Sequence, residues 1–260
     1  MIKNSNLIGI SGSTGSIGSA IEYRDHVIRI EARLELGAQE IAQEFQDKNI
    51  STYIHLAGKS SVKDCEDDPT TCMQMNSEYS LKFYSAAVQA GVKRFIFVSS
   101  AHVYDSNIPS PYDISSPLKP FNQYGRSKLD AEQKLQAAES STTQLSIARI
   151  FSVHSLSMRD HFLAAGLVRR AINRDFSAIP GLEKIRDFLS TELAMKELIY
   201  LAESETFPPI VNICSGIGVK IKDLGLQIFK SFGLEKEFHL IKNIDSPSPD
   251  VIVGVKREFK

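Results

Sequence analysis

The stretch GISGSTGSIGSA, residues 9–20, follows the apolar pair Leu7 and Ile8 and places Gly12, Gly15 and Gly18 three apart. An apolar run ending at glycine reads as a buried strand. A tight turn of small residues after it lets backbone N–H groups approach a pyrophosphate at the start of a helix. A ligand-free turn would use the same residue types, so the surrounding sequence has to decide between the two. Only seven residues separate Gly18 from His26, which leaves room for a helix of barely two turns, 18 to about 23.

Working outward, HVIRIEA (26–32) and TYIHLAG (52–58) repeat the short, β-branched form of that first strand, as expected for a sheet covered on both faces. Between them AQEIAQEFQDKN sets Ile41 and Phe45 on one helical face. A helix is predicted over about 68–90 with Gly91 as its stop, then a strand VKRFIFVSS (92–100), a helix over about 123–138 and a strand QLSIARIF (144–151). Beyond 152 come a helix near 162–173, a strand IRDFLS, a helix after Thr191, a strand IVNIC and a helix near 220–232. This βαβα order predicts an α/β, Rossmann-like, doubly wound parallel sheet that binds ligands beyond the carboxyl ends of its strands. Residues 1–155 are expected to form the dinucleotide-binding domain, with strands returning from about 185–215, and 156–260 mainly a smaller C-terminal substrate-binding lobe. The Pro/Ser stretches 107–120 and 245–250 read as long loops.

Thirty basic residues against 31 acidic ones, with no basic stripe, speak against a nucleic-acid partner. No apolar run approaches the roughly 18 residues of a membrane span, and the first residues do not form a signal peptide, so a cytoplasmic protein without a membrane partner is expected. Cys65, Cys72 and Cys214 are odd in number and lack CxxC spacing; they read as reduced, mostly structural thiols, with no structural metal.

In FNQYGRSKLDAE, Tyr124 and Lys128 stand four apart and share one face of the predicted helix. Ser100 ends the fourth strand, where side chains of such a sheet meet a ligand. Together they suit hydride-transfer chemistry: Tyr124 exchanges a proton with a substrate hydroxyl or carbonyl, Ser100 bonds the same oxygen, and Lys128 lowers the phenol pKa and holds a nicotinamide ribose. Glu31, at the end of the second strand, suits the ribose of NAD, while Arg33 could instead meet the 2′-phosphate of NADP.

These motifs, in this order, resemble the extended short-chain dehydrogenases/reductases, the NAD-dependent epimerase/dehydratase family of nucleotide-sugar enzymes. GSTGSIG is similar to the family's G-x-x-G-x-x-G, IHLAGKSSV to its I-H-L-A-A stretch, and DPTTCMQMN to its Pro-to-Asn segment with Asn76 in the Asn place. GVKRFIFVSSAHVY resembles the strand bearing the catalytic Ser or Thr, YGRSK the catalytic Tyr and Lys, RDFLSTELA the R-D-F-x-x-V-x-D-x-A run, and NICSG the N-I-G-S-G run. The resemblance implies that Ser100, Tyr124 and Lys128 are catalytic. It also implies that Gly12, Gly15, Gly18, Glu31, Leu56, Ala57 and Lys128 line NAD or NADP, and that Arg186 meets a nucleotide phosphate. Ser13, Thr14, Ser16, Ile17, Arg33, Gly58 and Ile150 complete the expected cofactor set, and Lys59, Ser100, His102, Ser152 and Arg186 the substrate set. A homodimer is expected, with Met73, Tyr79, Phe83 and Ala87 facing either the partner or the sheet.

Two departures from the family pattern bear on the reaction. The 4,6-dehydratases place an Asp-Glu pair directly after the catalytic hydroxyl, where this chain has Ala101 and His102; water elimination is hard to run without those acids. His102 reads as an added acid or base or as a solvated loop histidine. Where relatives read R-x-F-N-x-Y-G, Ser152 and His154 replace the Asn and Tyr. The short 18–55 segment resembles the compact layout of dTDP-4-dehydrorhamnose reductases and favours a cofactor that exchanges. The expected activity is NAD(P)-dependent hydride transfer at a sugar carbon of a nucleotide-sugar, foremost 4-keto reduction. The alternatives are a 4-epimerase that retains NAD and a non-catalytic NAD(P)-sensing regulator.

Overall fold

Side chains alternate across the central strands, and both sets are apolar, so helices must cover both faces. The computed structural model describes residues 7–21, 25–31, 35–138, 140–154 and 162–256. In its first half β1 (Leu7–Ser11), β2 (Val27–Arg29), α1 (Ala38–Asp47) and β3 (Ile50–His55) lead to α2 (Val62–Asp67), α3 (Pro69–Met73) and α4 (Tyr79–Ala90). Then follow β4 (Arg94–Ser100), α5 (Gln123–Ala137) and β5 (Gln144–Ile150). The second half runs β6 (Ser152–His154), α6 (Leu163–Asn173), β7 (Ile179–Pro180), β8 (Ile185–Ser190), α7 (Thr191–Glu203) and β9 (Ile210–Ile213). It ends with β10 (Gly218–Lys220), α8 (Ile221–Ser231), α9 (Glu235–Phe238), β11 (Asn243–Ile244) and β12 (Val251–Ile252).

Six parallel strands in the order β2-β1-β3-β4-β5-β9 make the main sheet, the Rossmann-like arrangement expected. One face buries Ile10, Ile54, Ile96 and Val98 under Leu198 and Ile199 of α7. The other buries Tyr53, Phe95 and Phe97 under Ile41 and Phe45 of α1, Phe83 and Ala87 of α4, and Leu135 of α5. Phe83 and Ala87 therefore face the sheet rather than a partner, whereas Met73 and Tyr79 are half-buried. A smaller sheet, β10-β8-β12 with β6 paired to β8, rests beside a separate core of Leu167, Phe229 and Phe238. Of the strands returning from 185–215, β9 joins the main sheet and β8 the small one. Among the described residues no helix is long and apolar enough to cross a membrane.

Three expectations need correction. The helix after the glycine loop is, among the described residues, a single 3-10 turn, Gly18–Ala20; a segment rich in Gly and Ser has little helix propensity to resist that outcome. The helix expected over 68–90 is interrupted by a π turn at Gln74–Glu78. Cys65 and Cys72 are not reduced thiols but a disulfide with both residues fully buried. Seven steps along one helix would hold two Cα atoms about 10 Å apart, yet theirs are 5.1 Å apart. Asp68, at φ −138° and ψ 81°, breaks the chain between α2 and α3 and folds the cysteines together. Asp68 then caps α3 by accepting from Thr71 N.

Candidate functional site

The glycine loop closes over the carboxyl end of β1. Gly12 sits at φ +65°, and a Cβ there would meet the backbone N of Ala57 at 2.8 Å, so no larger residue lets the loop approach the end of β3 this closely. Gly15 N donates to Gly12 O at 2.9 Å and Ser19 N to Gly15 O at 2.8 Å. The amides of Ser16 and Ile17, which line a cleft, have no partner among the described residues. Free amides converging on a cleft fit an anion such as a pyrophosphate. Among the described residues a 3-10 turn, not an α-helix, follows, so these amides act without the added field of an α-helix terminus.

The cleft, about 850 Å³, runs from this loop past the ends of β4 and β5 to the smaller sheet. Ser100, at the end of β4, and Tyr124 and Lys128, on α5, all line it. Asn122 caps α5 by accepting from Gly125 N at 2.7 Å. A buried ion pair ties the same helix to β5: Arg149 Nη2 donates to Glu132 Oε2 at 2.7 Å and Nε to Oε1 at 3.1 Å. Burial pushes the Tyr124 phenol above its ordinary value, and hydrogen bonding with Ser100 opposes the rise. Contrary to expectation Lys128 is not among the groups acting on that phenol. Its Nζ donates to Val98 O at 3.0 Å and lies 5.0 Å from the centre of the Phe97 ring. Burial pulls the Lys128 ammonium down to about 8, against the upward pull of Glu132. At neutral pH the site therefore holds a protonated phenol and a lysine close to its titration point.

Of the expected cofactor set, Gly12, Gly15, Ser16, Ile17, Gly18, Leu56, Gly58, Lys128 and Ile150 line the cleft. Ser13, Thr14 and Ala57 are not among its lining residues. Glu31 is exposed, away from the cleft, and its amide donates to Glu44 Oε1 at 3.1 Å; Arg33 is outside the described residues. Of the expected substrate set, Lys59, Ser100, His102 and Ser152 line the cleft and Arg186 does not. The Arg186 guanidinium is buried and turned to its own strand and the 245–250 loop, donating to Ile185 O at 2.8 Å and Ser248 Oγ at 3.0 Å. Ser248 in turn shares a 3.0 Å hydrogen bond with Ser246, which does line the cleft. His102 is no solvated loop residue: it occupies the 3-10 turn Ala101–Val103, half-buried, and burial pulls its pKa down to about 4.

Two residues of consequence were absent from the expected site. Asn76 is fully buried, accepts from Lys59 N at 2.8 Å and donates to Lys59 O at 3.1 Å and Ser127 Oγ at 2.9 Å. It thereby ties the cleft-lining loop after β3 to the helix bearing Tyr124 and Lys128. Its place in the Pro-to-Asn motif was the available signal. The second is Asn122, whose Nδ2 contacts His102 Nδ1 at 2.9 Å; a polar residue directly before a helix signals a cap, but nothing local signals the histidine. Phe151, Val153, Phe162 and Phe188 give the far wall an apolar lining.

The sequence profile of the NAD dependent epimerase/dehydratase family matches residues 8–214. The chain is similar to a GDP-6-deoxy-D-mannose reductase of Pseudomonas aeruginosa, 27% identical over 181 residues that cover 66% of this chain and 60% of that protein. It is similar to a UDP-glucose 4-epimerase of Vibrio cholerae, 26% identical over 193 residues that cover 65% of this chain and 59% of that one. It thus spans about three-fifths of the length of these curated relatives. Among solved structures it superposes on MoeE5 in complex with UDP-glucuronic acid and NAD with a TM-score of 0.82 and 20% identity, covering 96% of this chain and 90% of that one. On RMD from Pseudomonas aeruginosa complexed with NADPH the TM-score is 0.80 with 20% identity, covering 96% and 89%. At such identity these likenesses establish the fold.

Proposed function

We propose, since the chain belongs to the NAD dependent epimerase/dehydratase family, that it is a NAD(P)-dependent nucleotide-sugar reductase acting on a 4-keto group. The observation that carries this reading is the convergence of the glycine loop, Ser100, Tyr124 and Lys128 on one cleft. Nicotinamide dinucleotide, NAD or NADP, supplies the hydride when bound. The free amides of Ser16 and Ile17 suit its pyrophosphate, and Lys128 suits the ribose beside the nicotinamide. Ser100 and Tyr124 then hold the substrate's carbonyl oxygen, and Tyr124 donates its phenolic proton to that oxygen as it becomes a hydroxyl. Burial keeps the Tyr124 phenol protonated in the resting site, the form a carbonyl reduction draws on. A cradle followed, among the described residues, by a 3-10 turn rather than an α-helix supports an exchangeable cofactor.

On this reading residues 156–260 mainly form the substrate-binding lobe, the nucleotide-sugar is the partner in the cleft, and the protein works as a cytoplasmic homodimer. The second reading, a 4-epimerase with retained NAD, draws on the similarity to UDP-glucose 4-epimerases. The test is to follow absorbance at 340 nm with NADPH or NADH and a panel of 4-keto sugar nucleotides, and to denature the purified protein and measure released NAD. A reductase consumes reduced cofactor and comes empty; stoichiometric NAD with no net consumption would replace it with the epimerase. Binding without either result would leave only the sensing role.

A further inference from the structure

The His102 ring is held more tightly than a cleft-lining histidine needs for packing alone. Gly125 N donates to Asn122 Oδ1 at 2.7 Å, and a backbone N–H can only donate, so that side of the Asn122 amide is its oxygen. The opposite side is then the NH₂, and it points at His102 Nδ1 from 2.9 Å. An NH₂ can only donate, so Nδ1 is the bare nitrogen and the ring proton belongs to Nε2. No described residue accepts from Nε2. Among the described residues the one buried side-chain N or O atom without a partner is Nε2 of His55, so His102 Nε2 is not sealed off, and the residue lines the cleft.

The rest of the setting keeps the ring there. The His102 amide donates to Ser100 Oγ at 3.2 Å. Its ring lies 5.1 Å from Phe121 and edge-on to Tyr124 with centroids 5.6 Å apart. A Cβ on Gly125 would run into His102 O, so α5 approaches the 3-10 turn more closely than any other residue would permit. Burial and the Arg186 charge from β8 lower the ring's pKa, the Asn122 hydrogen bond opposes them, and Tyr124 from α5 is the titratable side chain in ring contact. The ring stays neutral through the physiological range.

Resting on the nucleotide-sugar reading of the cleft, we propose that Asn122 is a positioning residue that locks His102 as a neutral Nε2–H donor beside Tyr124, aimed at a substrate oxygen neighbouring the one Tyr124 protonates. The ligand class is accordingly a sugar with an acceptor oxygen on the carbon next to the reacting carbonyl. Asn122 does this while capping the helix that carries Tyr124 and Lys128, so one amide aligns both donors.

Asn122→Asp separates the two duties. A carboxylate caps a helix as well as an amide does, but it accepts where the amide donated and so draws the proton to Nδ1. The measurements are ¹⁵N-edited NMR of His102 as a function of pH, thermal unfolding, and the rate of cofactor oxidation with the 4-keto sugar panel. In the wild type the expected result is an Nε2–H tautomer that stays neutral down to about pH 5. In Asn122→Asp the melting temperature holds within a few degrees, the proton moves to Nδ1, the imidazole titrates at higher pH, and kcat falls ten- to a hundred-fold with cofactor Kd unchanged. His102→Gln, which can still present an NH₂ to the cleft, keeps more kcat than His102→Leu. An Nδ1–H tautomer in the wild type overturns the inference, and so does a tautomer flip that leaves kcat untouched. An Nε2–H tautomer in a protein that oxidises no cofactor with any keto-sugar nucleotide supports the ring assignment and overturns the reductase reading instead.

Discussion

Replacing Asn76 with Ala should loosen the cleft from beneath. Three short hydrogen bonds end on this amide, the pair to Lys59 N and O at 2.8 and 3.1 Å and the bond to Ser127 Oγ at 2.9 Å, beside a weak contact of Nδ2 with Cys72 Sγ at 3.5 Å. The Lys59 groups are only partly buried and can be rehydrated, so each bond there is worth about 1 kcal/mol. Ser127 is fully buried; its hydroxyl still donates to Tyr124 O, but losing the donor to its oxygen, together with the cavity left by the amide, adds a further ~1–2 kcal/mol. The sum, about 3–4 kcal/mol, corresponds to a fall in Tm of roughly 6–16 °C for a chain of this size. Function should suffer beyond stability, because the freed segment carries Gly58 and Lys59 into the cleft. Thermal unfolding by circular dichroism, with NADPH and NADH affinity measured by fluorescence well below the new Tm, tests both parts. A Tm within 2 °C of wild type would refute the clamp, and an unchanged cofactor Kd in a destabilised protein would refute its link to the site.

Acidification should destabilise the protein through its buried histidines. His55 and His102 are pulled down to about 3 and about 4 from their ordinary 6.5, chiefly by burial. The unfolded chain therefore binds more protons below that value, and stability is full above 6.5 and falls as pH drops toward those folded values, by up to about 1.4 kcal/mol per pH unit for each histidine. Urea titrations from pH 7 to 5 should show the slope, and His55→Phe should roughly halve it; a pH-independent midpoint would contradict the burial argument. Glu132→Gln removes the carboxylate that supports the Lys128 charge and strands Arg149. It should cost about 3–5 kcal/mol and carry the Lys128 limb of the kcat/KM profile below about 8, whereas a profile shifted upward would refute the coupling. Alkylation in denaturant without reductant should label one thiol, Cys214, and three after reduction; three labels without reductant would rule out the disulfide.

The strands were legible because their residues are apolar on both faces, and the Tyr124 and Lys128 pairing was legible because a spacing of four is local to one helix. What escaped depends on distance through space. The short helix after Gly18 was expected from the motif, yet its own Gly and Ser residues favour the 3-10 turn that forms. The pairing of Cys65 with Cys72 turns on a reversal at Asp68, which the helical spacing of the two cysteines conceals. Arg186 carries the right charge at the matching motif position, but β8 directs it into the 245–250 loop, where backbone carbonyls and Ser248 absorb its donors. Asn76 and Asn122 each read as one polar residue in a run, and their importance lies in the two segments each of them joins.

Replacing one oxygen tests the central claim most directly. Tyr124→Phe removes the phenolic proton donor and leaves the ring, so NADPH binding and the melting curve should match wild type. Single-turnover oxidation of NADPH by the 4-keto sugar nucleotide that wild type turns over fastest should slow by roughly 10²–10⁴-fold. A variant that oxidises the cofactor at close to the wild-type rate, with the same substrate and at the same pH, would contradict the account.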